Sequence, residues 1–86
     1  MDIKTLNLEI EKKIRKNILC QSLSIEDKTF LHLKHKSHDK NKFHIRIIIR
    51  SDELKSLDKI SANQKIYKVL SKEIKEYIHS IQIQIL

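Results

Sequence analysis

In the last quarter of the chain, SANQKIYKVLSKEIKEYIHSIQIQIL, the spacing of apolar residues switches from helical to extended, and this switch constrains the fold more than any other feature. Ile66, Leu70, Ile74 and Ile78 fall four apart with Tyr77 beside the last, which predicts a helix with one oily face. Beyond His79 the period becomes two: Ile81, Ile83 and Ile85 alternate with Ser80, Gln82 and Gln84, as in a strand with one buried face. His79 stands at the junction. A residue there has its backbone set from both sides while its side chain can still reach solvent or a partner, which makes His79 the first site to examine.

The segment HIRIIIR, His44–Arg50, alternates in the same way, with Ile45, Ile47 and Ile49 on one side and His44, Arg46, Ile48 and Arg50 on the other. It reads as a strand. Ser51 follows as an N-cap with Asp52 and Glu53 in the first turn, so a short helix is expected over Asp52 to about Leu57. The long helix then begins at Ser61 or Asn63, both plausible caps, and runs to about Ile78. Nearer the N-terminus, Leu6, Ile10, Ile14 and Ile18 repeat by fours among charged residues, predicting an amphipathic helix from Thr5 to about Leu19, capped by Thr5 or Asn7. Cys20 follows on its apolar side and reads as a small buried hydrophobe near the helix end. Leu23, Ile25 and the large residues from Thr29 to Leu33 make a first strand, bent near Asp27. KHKSHDKNK, Lys34–Lys42, is polar and unpatterned and reads as a mobile surface loop. The order is α, β, β, short α, long α, β: a two-layer α/β (α+β) sandwich with the helices on one sheet face and the other face partly open.

Composition limits what this architecture can do. A chain of 86 residues makes one domain, here residues 1–86, and buries only roughly 60–65% of the surface it exposes when unfolded. Glycine and proline are both absent, which removes Walker loops, dinucleotide fingerprints and any glycine-lined phosphate clamp. The single cysteine, Cys20, cannot form an internal disulfide or hold zinc or an iron–sulfur cluster alone. Eighteen basic against eleven acidic residues leave a charge of +7, which suits an acidic partner and equally suits a plain lysine-rich surface. No apolar run approaches the ~20 residues needed to span a bilayer, and the N-terminus lacks a basic start followed by an oily stretch, so a cytoplasmic location is expected.

Three groups of side chains carry potential chemistry. His32, His35, His38 and His44 lie within thirteen residues, and imidazole is the commonest metal ligand. The first three repeat by three in a loop rather than on a helix face, so solvated surface histidines and a metal-binding loop are both open. A loop histidine paired with His79 is a sharper possibility, which needs the fold to bring the two together. Lys65, Lys68, Lys72 and Lys75 form a basic stripe on the long helix, readable as its wet face or as a nucleic-acid contact. No strained nucleophile turn and no paired carboxylates can be assigned, so a non-enzymatic role is expected.

Taken together, these segments resemble the BolA-like proteins. HIRIIIRSDEL is similar to the family's strand followed by an SDxF segment, and KIYKVLSKEIKEYIHSIQIQ to its helix followed by a His-small-aliphatic corner. Upstream, IEKKIRKNI resembles its first helix, and Asp27, Thr29 and His32 match an Asp-x-Ser/Thr-x-x-His stretch. The resemblance covers about residues 8–86 and implies a class II KH-like fold, αββααβ. It further implies partnership with a monothiol glutaredoxin, with or without a shared, bridging [2Fe-2S] cluster, in iron–sulfur cluster handling or iron and redox regulation. By the same resemblance the ligands from this chain would be His79 and a loop histidine, best matched by His32, with His35 or His38 as alternatives. Cysteine and glutathione sulfur from the partner side would complete the set, and the chain alone would be a cofactor-free monomer. The alternative is a KH-like nucleic-acid-binding regulator of transcription or stress response. One departure bears on that alternative: Ala62, Asn63 and Gln64 stand where the family has a basic triplet. A second bears on the loop ligand: Ser56 stands where the family has a turn glycine. The loop also looks about three residues longer than usual.

Overall fold

The computed structural model describes residues 2–29 and 42–86. In chain order they form α1 (Ile3–Asn17), β1 (Ser22–Asp27), β2 (Phe43–Arg50), α2 (Asp52–Lys55), α3 (Lys59–Val69), α4 (Ser71–Glu76) and β3 (Ile78–Ile85). The mixed α+β architecture expected from the hydrophobic periods is present.

The sheet has the order β1-β2-β3, with β1 antiparallel and β3 parallel to β2. Register puts Leu23 beside Ile49 and Ile25 beside Ile47, while Ile45, Ile47 and Ile49 pair with Ile81, Ile83 and Ile85. Because successive side chains in a strand point to opposite faces, this aligns every apolar column on one face of the sheet. That face meets Leu6, Ile10 and Ile14 of α1 and Ala62 and Ile66 of α3, all buried, and Leu54, Leu70 and Ile78 complete the core.

Local chemistry sets the helix boundaries, and several differ from the sequence expectation. The N-cap of α1 is Asp2, whose side chain accepts from the Thr5 N–H at 2.8 Å, so the helix starts two residues before Thr5 and ends at Asn17. Asp58 caps α3 in the same way, accepting from the Ser61 N–H at 2.7 Å, ahead of both Ser61 and Asn63. Acidic side chains serve a cap as well as serine or threonine and suit the positive end of the helix dipole. Ser51 does cap α2: its Oγ accepts from the Leu54 N–H at 3.2 Å and donates to the Leu19 carbonyl at 2.6 Å.

The expected single long helix is two. At Leu70 the backbone turns to φ −101°, ψ 18°, dividing α3 from α4. The bonds Leu70 N–H to Ile66 C=O and Ile74 N–H to Leu70 C=O persist across the break, so no proline or glycine is required to make it. Beyond it, α4 leads into Ile78, which is buried, and the chain continues as β3 beside β2. The absence of glycine also costs nothing at Ser56, which sits in the right-handed region at φ −73°, ψ −14°. No described residue takes a positive φ, so no turn among them demands glycine.

Candidate functional site

β2 and β3 are in simple register from His44 onward, but Phe43 is opposite Ile78 while His44 is opposite Ser80. His79 is therefore the extra residue of a bulge at the start of β3. A bulged residue is released from the alternation of its strand, which re-aims its side chain. The helix-to-strand switch read from the sequence thus has a definite physical form: α4 ends at Glu76, Ile78 is anchored in the core, and the ladder skips His79. The His79 side chain is exposed.

Beside it lies His44, the first residue of the even-numbered column on the open sheet face. The two imidazole rings have centroids 4.8 Å apart, tilted by 48°. His44 is only 5% exposed, and its Nδ1 is 2.6 Å from Ser80 Oγ. Its backbone is held too, with the amide donating to Thr29 Oγ1 at 3.1 Å and the carbonyl accepting from the Lys28 N–H at 2.7 Å. One histidine is thus fixed within the fold and the other is presented outward against it. An exposed imidazole with a rigid neighbour can donate a lone pair to a metal or a hydrogen bond to a partner.

The site residues expected from sequence separate into two groups. His79 is where the period switch placed it. His32, His35 and His38 lie outside the described residues, as does most of the loop. The contact made by His44 was not legible, because its partners Ser80 and His79 are some 36 positions away and only the parallel β2–β3 register joins them. Among the described residues no three His, Cys, Asp or Glu side chains gather as a metal site. Cys20 is half-buried against the core, with Sγ 4.0 Å from Arg15 Nη1.

The lysine stripe needs correcting. Lys65 and Lys68 belong to α3 and Lys72 and Lys75 to α4, so the break at Leu70 divides it. Lys65 is half-buried with Nζ 3.2 Å from Glu53 Oε1, whereas Lys68, Lys72 and Lys75 are exposed. At the family's basic-triplet positions, Ala62 is buried in the core and Asn63 donates to the Lys59 carbonyl, so neither offers a cation.

A three-stranded sheet with a parallel C-terminal strand, helices over one face and a histidine corner at the strand's start defines a small two-layer α+β domain. Comparison with known proteins identifies which. The profile of the BolA-like protein family matches residues 14–86, and the chain belongs to that family. A relative from Haemophilus influenzae, named a DNA-binding transcriptional regulator BolA, is 29% identical over 76 residues, covering 88% of this chain and 71% of its own. Among solved structures, the BolA domain of SufE1 from Arabidopsis thaliana superposes with a TM-score of 0.80 at 24% identity, covering 99% of this chain and 92% of that one. BolA1 from the same plant gives 0.79 at 20% identity, covering 93% and 88%. At those identities the structural likeness speaks for the fold.

Proposed function

We propose that this BolA-like protein is a non-enzymatic accessory protein that docks a monothiol glutaredoxin through its histidine corner and contributes His79 to a bridging [2Fe-2S] cluster. The observation that carries the reading is the bulge: it turns His79 out of the strand and sets its ring against the fixed ring of His44. Such pre-organisation lowers the ordering cost of ligation or docking. The donor chemistry fits as well. When bound, a cluster with imidazole in place of thiolate has a raised potential, and the sulfur ligands would come from the partner, as a chain whose one cysteine packs against the core requires. The second ligand from this chain would be His32, or else His35 or His38. The role of the chain's own residues is to hold His79 in place, with Ser80 steadying His44 and His44 backing His79.

The test mixes the protein with a monothiol glutaredoxin, glutathione, iron and sulfide and records visible circular dichroism. The wild type is expected to change the spectrum of the glutaredoxin cluster, and His79→Ala to leave it as in glutaredoxin alone. A spectrum indifferent to the protein, or a His79→Ala spectrum identical to the wild-type one, removes the reading.

A second reading is that the protein binds DNA and regulates transcription. It is favoured by the name of the Haemophilus influenzae relative and by the charge of +7. The exposed Lys68, Lys72 and Lys75 would supply phosphate contacts, without the basic triplet.

A further inference from the structure

A groove of about 560 Å³ runs along the outer edge of β3, away from the histidine corner. Its walls include Gln82 and Gln84 from the open face of the strand together with Ile83 and Ile85 from the core face. Side chains from both faces of one strand line the same cavity only where that cavity follows the strand's edge. The opposite wall is the α2–α3 corner, with Lys55, Leu57 and Lys59.

Two properties of the groove point to the same occupant. The first is the backbone. Among the described residues β3 pairs only with β2, and the Leu86 N–H donates to the Ile49 carbonyl. Peptide groups alternate sides along a strand, so the N–H groups of Ile83 and Ile85 face outward along the groove. An unpaired edge beside a helical wall is the arrangement in which an extended segment adds as a further strand. The second property is charge. Arg46, Lys55 and Lys59 line the groove, and none of its described lining residues is acidic. None is aromatic either, so the groove offers a nucleic-acid base no aromatic ring to stack on.

We propose that this groove is a docking site for an acidic, extended polypeptide segment of a partner protein, which adds antiparallel or parallel to β3. The segment's backbone bonds the outward N–H and C=O groups of Ile83 and Ile85. Its carboxylates meet Lys55, Lys59 and Arg46, and an apolar side chain covers Leu57, which is 39% exposed. Arg46 is already oriented across the strand by its bond to Gln84 and its contact with Glu26.

The probe is a blocked eight-residue peptide alternating Glu and Thr, titrated into 15N-labelled full-length protein. Amide shifts are expected at residues 82–85 and at Lys55–Lys59, with slowed hydrogen exchange at Ile83 and Ile85. The surface double variant Lys55→Glu/Lys59→Glu is expected to weaken binding at least tenfold, and N-methylation of alternate peptide amides to abolish it. A Lys-for-Glu peptide and an oligothymidylate of eight nucleotides serve as the competing ligands. The proposal is overturned if the acidic peptide produces no shifts at millimolar concentration or shifts elsewhere. Indifference to charge reversal or to N-methylation overturns it too, as does tighter binding of either competing ligand in the groove.

Discussion

Single side chains in this protein do work that their neighbours in sequence do not reveal, and Asp58 shows it at a helix start. Its carboxylate is held below its ordinary value of 3.8, first by the Ser61 backbone N–H and then by the Ser61 hydroxyl. A carboxyl group whose pKa is lower in the folded state adds stability that is present above the unfolded value and is lost as pH falls through the folded one. Asp58→Ala should therefore lower the urea midpoint at pH 7, while Asp58→Asn, which can still cap, should retain most of it. The advantage of wild type over Asp58→Asn should shrink between pH 5 and pH 3. Urea titrations of the three proteins across that range check both statements, and a constant difference would contradict the second. His44 makes the same point at the candidate site. Alternation placed it on the solvent side of β2, yet it is buried and bonded to Ser80. His79 was legible because its signal, a change of period, is local. The contact between the two was not, because it exists only once β3 lies beside β2.

At the scale of elements, a largely buried ion pair ties the first helix to the fourth. Lys13 Nζ of α1 lies 2.6 Å from Glu73 Oε2 of α4, and the Glu73 side chain is only 5% exposed. Glu73 Oε1 is buried with no hydrogen-bond partner among the described residues. A buried carboxylate that loses its cation keeps its desolvation cost and gains nothing in return, so Lys13→Met should destabilise the fold by about 1–3 kcal/mol. Adding Glu73→Leu removes the stranded charge and should recover most of that loss. A double-mutant cycle in urea measures both, and additive losses would show that the two side chains are not coupled. Sequence periodicity anticipated a helix through Glu73 but assigned that residue no role, because heptad-like spacing marks apolar faces and says nothing of a carboxylate turned inward. The same limitation hid the break at Leu70, where the apolar positions keep their fourfold spacing while the backbone leaves the helical region.

For the molecule as a whole, net charge is the property that links fold to partner. With +7 spread over 86 residues, any DNA affinity should come mostly from phosphate contacts and fall steeply with salt. If Lys68, Lys72 and Lys75 carry it, binding to a 20-base-pair duplex should weaken about tenfold or more between 50 and 200 mM salt. Replacing all three by Gln should flatten that dependence. Fluorescence anisotropy at four salt concentrations decides the matter, and a flat wild-type response removes the DNA reading. Among the described residues no helix is long and apolar enough to cross a membrane. Features that depend on neighbours within a few positions were legible in the sequence: the alternation of helical and extended segments, the buried face of each, and the corner at His79, though not the division of the long helix at Leu70. Periodicity is local and can be read from the chain alone, whereas of the expected caps only Ser51 holds and Asp2 and Asp58 take the others. The parallel register of β2 and β3, by contrast, emerges only when the whole core packs. That register creates the bulge, sets the His79 ring against His44 and, among the described residues, leaves the outer edge of β3 open beside the α2–α3 corner. These outcomes depend on which strand lies against which, a choice made by the packing of the whole core.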